Sequence, residues 1–119
     1  MIKEWAETAR YISGELKDVR AGAPDVMKAF SSMAASALAT KALDTKTKEL
    51  IALAIGVAIR CDDCIAFHAK AAVAQGATDE EVMETLGMAI YMGAGPSVMY
   101  ASHAATAYRE FKEAAQSAG

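Results

Sequence analysis

Apolar residues recur along this chain at spacings of three and four, and nowhere at the alternation of two that marks a strand. Over about Lys3 to Val19 the stripe is Trp5, Ala9, Ile12 and Leu16, which predicts an amphipathic helix. Ala21-Gly22-Ala23-Pro24 breaks it, and Pro24 suits the first turn of a second helix with Val26, Met27, Phe30, Met33, Ala37 and Leu38 inward. Asp44 or Thr45 can cap a third helix running to about Ile59. Its Leu50, Ile51, Ala54, Ile55, Ala58 and Ile59 are apolar on most sides, so it is expected at the centre. After a break at Arg60 to Asp63, a fourth helix runs to about Gln75 and closes on Gly76. Thr78-Asp79-Glu80-Glu81 reads as a capping box for a fifth helix, Val82 to about Met92. Gly93-Ala94-Gly95-Pro96 stops that helix. Ser97 then caps a last one, to about Ala115, presenting Tyr100, Ala104, Ala107, Tyr108 and Phe111. The expectation is an all-α, single-domain helical bundle of about six helices over residues 1–119.

Composition adds an association state to this picture. Alanine accounts for 28 of the 119 residues, which favours helix but buries little apolar area per residue. One protomer is left with a small core, so an obligate homo-oligomer is expected. With 54% apolar and 23% charged residues the chain is not a disordered one. A net charge of −3 without a clustered basic face argues against nucleic acid. The longest apolar run, Leu50 to Ile59, is half of what a membrane span needs. The opening residues lack the basic segment and apolar run of a secretory leader, and two cysteines are too few for a disulfide-stapled scaffold. A cytoplasmic protein is expected.

The sharpest chemical feature is Cys61-Asp62-Asp63-Cys64 followed by His68. Two thiols three residues apart at a helix start have Cα atoms roughly 5–5.5 Å apart, within disulfide range. The helix N-terminus favours a thiolate, and His68 lies one turn beyond Cys64 on the same face. Nucleophilic thiol chemistry needs that set: a thiolate to attack, a base for its proton and a second thiol to resolve. Asp62 and Asp63 oppose the neighbouring thiolate. Two other readings stand beside the redox one. The cysteines can be small core residues, or Cys61, Cys64, His68 and His103 can be a tetrahedral zinc set.

Glu49, in the first turns of the third helix, is either a solvated residue or the carboxylate that orients His68. Lys46 and Lys48 read as a solvated face. The methionines Met27, Met33, Met83, Met88, Met92 and Met99 read as core filler. Tyr91, Tyr100 and Tyr108 suit partly buried positions or a pocket wall. Gly93 to Pro96 has no Lys-Ser/Thr pair after it and is no phosphate loop; no cofactor is expected.

Glu49, Cys61-x-x-Cys64 and His68, at this spacing, resemble the signature of the alkylhydroperoxidase D-like group within the carboxymuconolactone decarboxylase superfamily. Leu43 to Ala54 resembles that family's lead-in, and Gly76 to Val82 the turn after its active helix; the resemblance runs from about Lys41 to Phe111. It implies an alkylhydroperoxidase D-like helical fold assembled as a trimer or hexamer. It also implies a peroxidase that reduces a hydroperoxide substrate and is regenerated by a dithiol reductant, lipoyl-type or thioredoxin-type. Carried over, Cys64 is the peroxidatic thiol, Cys61 the resolving thiol, and His68 with Glu49 the proton relay. The sequence departs at Asp63, where the family pattern has a histidine, which weakens thiolate activation. A decarboxylase-like enzyme on the same scaffold, working without the cysteine pair, is the alternative.

Overall fold

In the computed structural model, which describes residues 3–118, five helices make up nearly the whole chain. They are α1 (Trp5–Gly22), α2 (Pro24–Leu38), α3 (Thr45–Ala58), α4 (Asp62–Ala74) and α5 (Asp79–Ala118). Their ends follow from local chemistry. Pro24 occupies the first turn of α2, where its missing N–H costs nothing. The Asp44 carboxylate caps α3 by accepting the Thr47 N–H at 2.8 Å, which is the main reason its pKa is lowered. Thr78 and Glu81 form the reciprocal capping box: Glu81 N–H donates to Thr78 Oγ1 at 3.1 Å, and Thr78 N–H to Glu81 Oε1 at 2.9 Å. Gly76 closes α4 at φ 78°, a left-handed value that glycine adopts without strain.

The expected stop at Gly93 to Pro96 is a kink, so the fifth and sixth expected helices are one element. The kink passes through Ala94 at φ 53°, ψ −137°, a conformation that an L-residue holds only under constraint. Gly93 makes room for it, since a Cβ there would collide with the Ser97 hydroxyl. Pro96 follows the break directly, where the absence of an N–H is harmless.

Helices α3, α4 and α5 enclose one core, with Leu50, Leu53, Val57, Ile65, Val82 and Leu86 among its larger members and alanines where the helices come closest. α1 joins through Trp5 and Ala9. Glu4 offers no side-chain cap to α1. The cap comes from α5 instead: the Glu110 carboxylate accepts the Trp5 N–H at 3.2 Å and the Ala6 N–H at 2.9 Å. Caps of this kind contribute about 1 kcal/mol.

Several expected core positions lie outside. α2 has no buried residue, and Val26, Phe30 and Met33 are exposed; among the described residues this helix touches only α1 and α3. Met83, Met88, Met92 and Met99, read as core filler, are more than half exposed. α3 is central through Leu50, Leu53 and Val57, while Ile51, Ile55 and Ile59 face outward. Periodicity reports which face of a helix is apolar, and leaves open whether the same chain covers it. No described helix is long and apolar enough to cross a membrane.

Candidate active site

The α3–α4 turn builds the site from the backbone outward. α3 ends with the Arg60 N–H on the Val57 carbonyl (3.2 Å) and the Cys61 N–H on the Gly56 carbonyl (2.9 Å). That paired closure usually has glycine at its left-handed position; here it is Arg60, at φ 58°. Cys61 closes one helix with its N–H and opens the next with its side chain, since its sulfur accepts the Cys64 N–H at 3.2 Å. The two cysteines are joined as a disulfide, with Cα atoms 5.2 Å apart. Gly56 lets α4 start this close to α3: a Cβ there would lie 3.3 Å from Cys64 Cβ and 3.6 Å from the Ile65 nitrogen.

Asp62 and Asp63 fill the first turn of α4, where carboxylates suit the positive end of the helix dipole. Asp63 is exposed. Asp62 is paired with Lys3, whose ammonium donates to Oδ2 at 2.6 Å.

Glu49 is buried, at 7% exposure, and its Oε1 lies 2.7 Å from His68 Nδ1. The solvated reading of Glu49 is therefore wrong for this fold. A simple antiparallel return would leave His68 short of Glu49, yet the two meet within one chain. Glu49 stands about 13 Å of helix before the end of α3, and His68 about 9 Å into α4; two side chains span the difference. With Glu49 ionised, Nδ1–H must donate, which leaves the Nε2 lone pair as the free proton acceptor. A buried carboxylate also needs such a partner, because an unpaired one would be costly.

The remaining candidates fall outside this constellation. His103 packs tilted against the Trp5 ring and edge-on to Tyr100, centroids 6.0 and 5.3 Å away. Among the described residues no group of three or more His, Cys, Asp or Glu side chains is placed to hold a metal ion, and Cys61 and Cys64 are bonded to each other. Lys46 pairs with Glu81 at 2.8 Å, and Lys48 reaches the Ala39 carbonyl at 2.6 Å. Tyr108 is buried and donates to the Ala77 carbonyl at 2.7 Å; burial first, then Asp79, pushes its phenol up. Tyr91 is exposed. Sequence reading missed Lys3, whose partner Asp62 lies 59 positions away, a separation that leaves no signal. It also missed Gly56, for which there was one: an isolated glycine in an apolar helical run marks close packing.

Fold and site together define an all-helical protein with a vicinal cysteine pair at a helix start and a carboxylate-held histidine one turn on. The profile of the carboxymuconolactone decarboxylase family matches residues 24–107, and the chain belongs to that family. The match takes in α2 as well as the segment that carries the signature. An apo protein of this family from Legionella pneumophila is 48% identical, with TM-score 0.89 over 91% of this chain and 96% of that one. A family member from Thermotoga maritima is 33% identical, with TM-score 0.71 over 76% of this chain and 94% of that one. An uncharacterised protein of Cupriavidus necator is 43% identical over 81 residues, which is 68% of this chain and 72% of that protein.

Proposed function

We propose that this protein is a thiol-disulfide oxidoreductase of the alkylhydroperoxidase D-like kind, reducing hydroperoxides in the cytoplasm. The observation that carries the reading is the Cys61–Cys64 disulfide at the start of α4, one helical turn from an imidazole held by a buried carboxylate. The Thermotoga relative, for which involvement in an antioxidative response has been suggested, lends support.

In the reduced protein His68 Nε2 takes the Cys64 proton, directly or through a water. The thiolate attacks the terminal oxygen of ROOH; the O–O bond breaks, and the alkoxide leaves as ROH with that proton. Cys64 is then a sulfenic acid. The Cys61 thiol attacks its sulfur, water leaves, and the disulfide forms. A dithiol of the lipoyl or thioredoxin type restores both thiols by two exchange steps and is itself oxidised to a disulfide.

The test is a thiol count and intact mass, before and after one equivalent of an organic hydroperoxide. We expect the pre-reduced protein to lose both thiols and two mass units per chain. Thiols that stay free would overturn the peroxidase reading and favour a decarboxylase-like enzyme that works without them.

The exposed apolar residues on α2, α3 and α5 are the natural contacts for further copies of this chain. They include Phe30, Ile55 and Tyr91, each more than half exposed. A trimer or hexamer of the 12.5 kDa chain is the expected outcome of light scattering on the eluting protein; a monomer at micromolar concentration would refute it.

A further inference from the structure

We propose that Lys3 is a positioning residue of the thiol pair, held against Asp62 between the two cysteines so that its positive charge offsets the acids that oppose a thiolate. The inference rests on the thiol reading above and adds to it a residue that no motif marks.

Two contacts hold the half-exposed Lys3 side chain, and a third holds its neighbour Trp5. The Lys3 ammonium donates to Asp62 Oδ2 at 2.6 Å and lies 5.8 Å from the centre of the Trp5 ring. Trp5 itself is 2% exposed, and its N–H is held by the Glu110 carboxylate. The chain entering α1 is thus tied to the first turn of α4 through Lys3 and to α5 through the Trp5 N–H. Asp62 is the only residue of that turn with a cation on it among the described residues.

The electrostatic sense follows from the charges around the pair. Asp62 and Asp63 come from α4 itself, as does His68, with Glu49 behind it on α3, and Arg60 of the α3–α4 turn adds a cation one residue before Cys61. Lys3 comes from the segment before α1, with Tyr100 of α5 close enough to act on it. A thiolate formed here meets two carboxylates at one or two residues' distance, which raises the thiol pKa. The Lys3 charge acts in the opposite direction. The Asp62 carboxylate, aided by Asp63, holds the Lys3 pKa above its ordinary value, so the cation persists wherever the thiols titrate. By stabilising the thiolate it favours the reduced pair, and so makes the disulfide easier to reduce.

The test is thiol titration by ultraviolet absorbance of the thiolate, with the reduction potential measured against a buffer of reduced and oxidised dithiothreitol. Lys3→Gln should raise the lower thiol pKa by about half to one unit, a three- to tenfold loss of thiolate fraction. Above that pKa the potential should become more negative by about 15–30 mV, at 29.6 mV per tenfold. At low pH, where both thiols are protonated, the difference should vanish, which a purely structural role would not produce. Lys3→Arg should behave as wild type. In an Asp62→Asn background, Lys3→Gln should move the pKa less than half as far, because the ion pair that places the cation is gone. An unmoved pKa, a pH-independent change in potential, or an equal shift in the Asp62→Asn background would each overturn the proposal. A shifted pKa in a protein that leaves hydroperoxide untouched would refute the peroxidase reading and not the placement of Lys3.

Discussion

Cys64→Ser is expected to lose hydroperoxide turnover down to the uncatalysed background, while Cys61→Ser completes one oxidation and stalls. The two differ because only one sulfur has to attack oxygen. A serine hydroxyl at position 64 stays protonated and cannot replace the thiolate. Position 61 acts later, in displacing water from the sulfenic acid. Without it, Cys64 accumulates as sulfenic acid and then gains a second oxygen as sulfinic acid. Intact mass should therefore show no oxygen gain at position 64 in Cys64→Ser, and gains of one and two oxygen atoms in Cys61→Ser. Both variants should fold. Serine is a preferred N-cap, so it can replace the Cys61 sulfur that accepts the Cys64 N–H. At position 64 it fits the close approach to Gly56 that cysteine already fits. If Cys64→Ser turned over hydroperoxide while Cys61→Ser did not, the two roles would have to be exchanged; if both did, the cysteines would not be the site.

Much of this fold was legible because helix ends are written in local chemistry. Asp44, Pro24, Gly76 and the Thr78–Glu81 box each satisfy or relieve backbone groups at a terminus, and those needs do not depend on the rest of the chain. The cysteine pair was legible for the same reason, since a spacing of three within one turn fixes the separation of the two Cα atoms. The residue pattern left Glu49 either solvated or orienting His68, and only the resemblance favoured the contact. Two positions 19 residues apart on different helices meet through the geometry of a turn, and Arg60 in a left-handed conformation gives no signal in the sequence.

Other features required knowledge of what lies opposite. Phe30, Met33, Ile55 and Met92 sit on apolar stripes that would suit a core, yet this chain leaves them exposed. The pattern encodes the need for cover and not its source. Gly93-Ala94-Gly95-Pro96 has the composition of a helix stop. A stop and a kink differ only in whether the chain resumes a helical path after one residue, here Ala94 at φ 53°. Lys3 belongs to the same class, because its meaning lies entirely in Asp62 across the fold.

His68→Ala is expected to slow oxidation of Cys64 by about 10²–10⁴-fold at neutral pH, the usual range for loss of a positioned base. Glu49 is expected to act by holding His68 Nδ1 at 2.7 Å, which fixes the tautomer and the ring orientation. Its variants should therefore follow a graded order. Glu49→Gln keeps an oxygen that can accept from Nδ1–H and loses only the charge, so its rate should stay closer to wild type. Glu49→Ala removes the acceptor and should fall further, though not beyond His68→Ala. The decisive comparison is the pair. Residues that act as one unit are strongly non-additive, so Glu49→Ala combined with His68→Ala should be no slower than His68→Ala alone. Stopped-flow measurement of the single oxidation step isolates this from recycling by the dithiol. If the two losses instead added in full, Glu49 would have a role of its own at the thiols, and its description as a positioning residue would fail.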